Sequence, residues 1–302
     1  MKLGDTTMET APSLLDLPVA CTETTPVPGH APSLLPSERN FTLVWNDEFD
    51  GTELDRSKWA YRLCMMQRRH PAWTDQAVRL DGNSNAVFEL RLEDGRSVSS
   101  QLQTGFNFMD EPVSETLCNG HDHLQWPIGK LHAPLFEHTY GYWECRCRLQ
   151  QKPGWWSAFW IQSPIIGASL DPARTGVEID VMECFKPGVC HIHNLFQGGY
   201  GKDNLRLRAG SDLELPDPAG FHRFGVLWDD WGYTFYVDGR EHGRIEGNVS
   251  RVPEFVLIST EVKGYRHADH QPVPEAFDAV GDTFLVDYVR VFDETPPLSS
   301  AH

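Results

Sequence analysis

A chain of 302 residues with 40% hydrophobic content has the material for one large β domain or two smaller ones, and is too apolar to be disordered throughout. Its formal charge of −17 argues against a nucleic-acid partner, because gripping phosphates needs concentrated Lys and Arg. No run approaches the about 18 to 20 apolar residues of a membrane helix, so no membrane partner is expected.

Residues 1–40 carry Pro12, Pro18, Pro26, Pro28, Pro32 and Pro36 among Thr, Ser and Glu, and the phrase Ala-Pro-Ser-Leu-Leu stands at both 11–15 and 31–35. This composition reads as an extended leader that wraps or dangles. Met1 to Asn40 lacks the basic start and continuous apolar stretch of a secretory signal, so no export address is read there and a cytoplasmic location is the expectation.

From Phe41 the text becomes rich in strands. Predicted strands, with β-branched and aromatic residues in period-two alternation, cover 41–45, 86–92, 97–104, 141–149, 157–162, 177–183, 191–196, 222–228, 233–237, 255–260 and 284–292. Glu93-Asp94-Gly95 and Asp238-Gly239 supply hairpin turns. Helical periodicity is scarce. Many short antiparallel strands imply an all-β sandwich or barrel, here a single domain over 41–295 with a tail at 296–302. The irregular stretches 63–82, 106–135 and 262–281 hold His, Pro, Trp and Arg, and loops of such length in a compact domain tend to be functional. Cys21, Cys64, Cys118, Cys145, Cys147, Cys184 and Cys190 lack paired C-x-x-C spacing, which favours neither zinc nor a complete disulfide framework. Buried thiols are expected, with Cys145 and Cys147 on one strand face.

The segment Glu178-Ile-Asp-Val-Met-Glu183 crowds three carboxylates into an apolar strand. On an ideal strand Glu178 and Asp180 share a face while Glu183 points the other way. One extra residue at Val181-Met182, a β-bulge, returns Glu183 to the carboxylate face. Like charges in a cleft of lowered dielectric cannot all ionise at ordinary pKa values, so one is expected to hold a proton near neutral pH. An acid beside a base is the requirement of glycoside hydrolysis, and a retaining enzyme sets the pair roughly 5–5.5 Å apart. About four strand steps, roughly 13 Å between Cα atoms, separate Glu178 from Glu183, a gap that two inward-leaning side chains across a curved sheet largely close.

These residues resemble glycoside hydrolase family 16, the laminarinase, agarase and carrageenase group with a curved β-jelly-roll fold. Leu43 to Trp59, Tyr140 to Glu144, Gly154 to Trp160, Phe221 to Trp228, Tyr236 to Gly239 and Val286 to Val291 are similar to family segments in the family's order. The resemblance implies a curved antiparallel sandwich, concanavalin-like, with a substrate groove on the concave face. Within it, E-x-D-x-x-E marks the bulged branch and implies Glu178 as nucleophile, Glu183 as general acid then base, and Asp180 between them. Position also gives Asp180 a physical role, since it shares the face of Glu178 and can hydrogen-bond it or modulate the shared charge.

Further candidates follow. His193 matches a position where the family often carries a His near the cleaved bond, and His191 shares its face. Alternation puts Trp156 and Trp160 together as sugar-stacking platforms and Trp155 opposite. Glu261 stands where laminarinases carry small or apolar residues and is expected to meet a substrate hydroxyl if it faces the groove. Arg69, His70 and Trp73 lie in a loop where the family builds its substrate rim. The resemblance also implies a structural calcium ion on the convex side, held by Asp287 of the last strand and a carbonyl of Gly82; no cofactor is expected for catalysis.

The reading is endo-acting hydrolysis of a β-linked glucan or galactan with retention, by a monomer whose partner is a polysaccharide or oligosaccharide. A lectin on the same sandwich and a transglycosylase are the alternatives. The family's members are generally secreted, which sets the resemblance against the lack of a signal in the chain.

Overall fold

The computed structural model describes residues 13–66, 68–110, 131–191, 193–200, 203–266 and 270–295, without the side chain of His191. The alternating stretches pair as antiparallel strands. In chain order these are β1 (Cys21–Thr24), β2 (Ser33–Pro36), β3 (Asn40–Asp47), β4 (Gly141–Arg148), β5 (Trp155–Gln162), β6 (Val177–Lys186), β7 (His193–Gln197), β8 (Leu205–Ala209), β9 (His222–Trp228), β10 (Gly232–Val237), β11 (Arg240–Glu246), β12 (Phe255–Val262) and β13 (Thr283–Thr295). Shorter strands are named by their residues. Among the described residues helix is confined to brief turns such as Pro172–Thr175 and Pro274–Asp278, and no helix there is long and apolar enough to cross a membrane.

Two sheets stack. The first runs β8-β7-β6-β5-β12 and continues through Gln101–Gln103 to Ala60–Tyr61; the second runs β11-β10-β9-β4-β13 and continues through Ala86–Glu89 to Val78–Leu80, with β3 also paired to β13. Alternation aims every second residue of each sheet at the other. Phe159, Ile179, Val256 and Ile258 from the first sheet are fully buried with Val226, Phe235, Val286 and Val289 from the second. Each such Val, Ile or Phe side chain contributes about 1.5–3 kcal/mol by leaving water. The expected antiparallel jelly-roll sandwich is what forms.

The proline-rich segment packs on this frame. β1 and β2 form a hairpin, and the amides of Ala20 and Cys21 donate to the Gly239 carbonyl at 2.9 and 3.0 Å. Beneath the hairpin, the second sheet buries polar groups on its outer face. Glu144 accepts from the Leu34 amide (2.9 Å) and the Tyr288 hydroxyl (2.8 Å). The wholly buried Arg290 donates to both Glu48 oxygens, the Ala31 carbonyl and Ser33 Oγ. Residues 31–34 therefore satisfy charges that would otherwise be stranded. Among the described cysteines none forms a disulfide, and Cys145 and Cys147 are both wholly buried.

Candidate active site

β6 follows Gly176, whose φ of +72° and close approach to Ser163 leave no room for a side chain. The Val177 amide then donates to the buried Glu254 carboxyl at 2.9 Å. Against β5, Phe159 lies opposite Met182 but Trp160 lies opposite Asp180, so Val181 is the extra residue. Val181 and Met182 both turn into the core with Ile179 and Cys184, each wholly buried. Glu178, Asp180 and Glu183 consequently line one groove on the outer, concave face of the first sheet. The bulge stands at the position that the six-residue spacing predicts. Its spare carbonyl is not stranded, because the His193 ring nitrogen Nδ1 donates to Val181 O at 2.6 Å.

The three carboxylates sit in unlike surroundings. Glu178 Oε2 accepts from Gln162 Nε2 at 2.9 Å and from the Tyr200 hydroxyl. Glu183 Oε2 accepts from Asn194 Nδ2 at 3.1 Å, and Asn194 Oδ1 in turn accepts twice from Arg206. Burial, then the charge of Glu178, pushes the Glu183 pKa up to about 7, with Arg266, Arg206 and Asn194 opposing. Asp180 is pushed well above its ordinary value by burial and by both glutamates, which favours its neutral form. Burial raises Glu178 as well, but Tyr200, Arg62, Arg266 and Gln162 all favour its anion. The arrangement separates a hydrogen-bonded anion from an acid titrating near neutrality.

The groove measures about 400 Å³. Trp156, Ala158 and Trp160 line its floor from the outward face of β5. Trp156 is half-buried beside Phe185, ring centroids 5.4 Å apart, with the Arg266 guanidinium 5.4 Å from its ring centre. Trp160 is anchored by Nε1 to Ser259 Oγ at 2.9 Å. Under it the Arg62 guanidinium lies 5.1 Å from the Trp160 ring centre and 5.4 Å from that of Trp73, and it grips Asp110 through two bonds of 2.6 and 3.1 Å. Glu261 does face the groove, yet both its oxygens are held by Arg266 at 2.6 Å. The pair presents an ordered polar wall rather than a bare carboxylate.

Several expected site residues lie elsewhere. His193 is wholly buried on the core side, stacked on Phe235 at 4.4 Å, and cannot meet a sugar. Its neighbour Asn194 is the groove residue, because Asn194 pairs with Asp180 across the ladder and cross-strand partners share a face. The His191 side chain lies outside the described residues. Trp73 is buried under Arg62 and stacked on His70 at 4.0 Å, so it supports the floor instead of forming the rim. Burial and three nearby arginines push the His70 pKa down to about 3, leaving a neutral ring. Arg69 is exposed and donates to the Leu63 carbonyl, away from the groove.

The calcium expectation fails on its side-chain ligand. Asp287 Oδ2 is ion-paired to Arg146 Nη1 at 2.5 Å, and a guanidinium at that distance repels a second cation. Gly82 occupies a turn near Thr52, and no group of three or more His, Cys, Asp or Glu able to hold a metal exists among the described residues. The residues named do not fit the ion.

Arg62, Gln162, Asn194, Tyr200, Arg206 and Arg266 escaped the sequence reading. Gln162 alone had a visible signal, lying two and six residues beyond Trp160 and Trp156 on the same alternating face.

A strand that bulges to gather E-x-D-x-x-E into a Trp-floored groove is matched by the profile of Glycosyl hydrolases family 16 over residues 126–257. The chain is similar to that family over those residues. Among curated relatives, the chain is 25% identical over 280 residues to glucan endo-1,3-beta-glucosidase A1 of Niallia circulans, covering 86% of this chain and 39% of that protein. It is 25% identical over 283 residues to a beta-glucanase of Rhodothermus marinus, covering 86% and 90% respectively. The chain thus spans well under half of the first relative and nearly all of the second. The catalytic domain of an endo-1,3-beta-glucanase (laminarinase) of Thermotoga petrophila shares its fold, with a TM-score of 0.58 and 19% identity over 85% of this chain and 99% of that one.

Proposed function

We propose that this chain is a member of glycoside hydrolase family 16 that hydrolyses internal bonds of a β-linked polysaccharide, a β-glucan in the first instance, with retention of configuration. The single observation that carries the reading is the bulge at Val181, which brings an acid titrating near neutrality, Glu183, onto the face of the hydrogen-bonded anion Glu178. The relatives' printed activities, glucan endo-1,3-beta-glucosidase and beta-glucanase, support the choice of glucan.

In this mechanism a Glu178 oxygen attacks the anomeric carbon as the glycosidic C–O bond breaks, and the departing oxygen takes the electron pair together with the Glu183 proton. A glycosyl ester on Glu178 remains. Water then attacks the same carbon, gives a proton to the Glu183 carboxylate, and releases Glu178. Burial and both glutamates favour the neutral form of Asp180, which lessens the negative charge in the groove, and hydrogen bonds from Tyr200 and Gln162 favour the anionic nucleophile. Trp156 offers a pyranose face a flat apolar surface.

The test is a panel of β-1,3-glucan, mixed-linkage glucan and galactans, with product lengths and the anomer released followed by NMR. Oligosaccharides of mixed length bearing the β-anomer first are the expected outcome on glucan. Glu178→Gln should lose turnover yet still bind. Full activity in that variant, or release of the α-anomer, overturns the mechanism.

A further inference from the structure

Trp231 is 81% exposed, the most exposed large hydrophobic side chain among the described residues, and the proposed mechanism has no use for it. Its backbone is nonetheless firmly held. The Trp231 amide donates to Asp229 Oδ1 at 2.8 Å, its carbonyl accepts from Gly247 at 2.8 Å, and the Gly232 amide donates to the same Asp229 oxygen at 3.2 Å. A Cβ at Gly232 would lie 2.1 Å from the Ile245 carbonyl, so only glycine lets the turn press against β11. A rigid turn that presents an indole to water is pre-organised to stack.

Beside the indole lies a hollow of about 590 Å³ bounded by Arg39, Thr234, Arg244 and Glu246. A second hollow of about 460 Å³ shares Arg39, Thr234 and Arg244 and extends to Tyr236 and Glu241. Together they form one track over the outer faces of β10 and β11, on the sheet opposite the catalytic groove. Its polar heads are immobilised in advance: Arg39 bridges Asp229 at 2.9 Å and Glu294 at 2.8 Å, and Arg244 grips Glu241 at 2.6 and 2.7 Å. Both arginines are charge-paired and Asp230 and Glu246 add further acid, so the track does not suit a polyanion. It is too polar for an apolar partner. Flat aromatic surface together with fixed donors and acceptors is the chemistry that recognises a pyranose ring and its hydroxyls.

We propose that this track is a second, non-catalytic saccharide site that holds a neutral hexopyranose chain, with Trp231 stacked on one ring. The choice of a β-glucan as that chain rests on the proposed function; the site itself does not. It would keep the enzyme on an insoluble polymer while the opposite sheet cleaves.

The test is retardation in native gels cast with soluble β-1,3-glucan or mixed-linkage glucan, using Glu178→Gln as the parent so that cleavage does not intervene. Trp231→Ala on that parent should weaken apparent affinity about tenfold, since loss of a stacked aromatic at a binding centre commonly has that size. Thr234→Trp, which fills the middle of the track, should weaken it as well. In the enzyme with Glu178 intact, Trp231→Ala should leave the rate on a short soluble oligosaccharide within about twofold, and lower the rate on insoluble glucan several-fold. Retardation unchanged by either substitution overturns the proposal, as does a parent that no panel glycan retards. Self-association lost with Trp231 in the absence of any retardation would assign the face to a second copy and also overturn it. If the wild-type chain cleaves no polysaccharide, the function reading fails while the gels still decide the track.

Discussion

His193 Nδ1 donates to the carbonyl of Val181, the extra residue that the bulge inserts in β6 against β5. With Nδ1 protonated, Nε2 of the neutral ring must accept, and it does so from His242 Nδ1 at 2.8 Å. Burial and the neighbouring His242 push the His193 pKa down to about 3, so this tautomer persists across the working pH range. The bond ties the imidazole to the backbone at the bulge that puts Glu183 in one groove with Glu178.

Replacing that ring therefore tests positioning rather than contact. His193→Phe keeps the stacking on Phe235 but strands the Val181 carbonyl, which costs about 1–3 kcal/mol of stability. The expected kinetic result is a kcat lowered about tenfold or more with KM little changed, because the sugar platforms are untouched. His193→Asn, which retains a donor near the Nδ1 position, should recover part of the loss. An equal loss of kcat in both variants, or a rise in KM alone, argues against the role.

In the proposed mechanism Glu183 donates its proton, so kcat/KM should fall as pH rises through about 7. The Asn194 amide favours the Glu183 anion. Asn194→Leu should accordingly raise the Glu183 pKa and carry the alkaline limb to higher pH. Stability follows the same group. A carboxyl whose pKa rises from 4.5 to about 7 on folding contributes fully below the unfolded value and loses that contribution as pH rises through the folded one. Glu183→Gln should therefore raise Tm more at pH 8 than at pH 5, as thermal melts at the two values would reveal.

Tyr200 controls the opposite limb. Its hydroxyl donates to Glu178 and favours the anion against the upward pull of burial. Removing the hydroxyl in Tyr200→Phe should raise the Glu178 pKa, move the acid limb of kcat/KM upward, and lower the rate at pH 5 more than at pH 7. An acid limb that stays in place would assign the tyrosine to substrate binding.

What the sequence disclosed depended on how locally each feature is encoded. The Trp156 and Trp160 face, the bulge at Val181 and the sharing of one groove by Glu178, Asp180 and Glu183 all follow from counting along single strands. His193 was misplaced because its face depends on the register of β7 against β6, and the pairing of Asp180 with Asn194 is a tertiary fact. Arg62 and Asp110 meet across 48 positions of chain, and Tyr200 reaches Glu178 from a loop, so neither left a periodic trace. The calcium ligands came from likeness alone, and one salt bridge, Arg146 to Asp287, removed their basis.

The proline-rich segment gives the sharpest test of stability. Leu14 is 2% exposed in the core, and Arg290, wholly buried, depends on Ala31 and Ser33 for two of its bonds. A chain starting at Asn40 would bare the Leu14 site and leave Arg290 with Glu48 as its main partner. Loss of the apolar cover and partial stranding of a buried ion pair each cost on the order of 2–4 kcal/mol. The truncated protein should melt at least about 10 °C below the full chain or fail to fold. An unchanged Tm for that truncation would mean that the hairpin rests on the sheet without stabilising it.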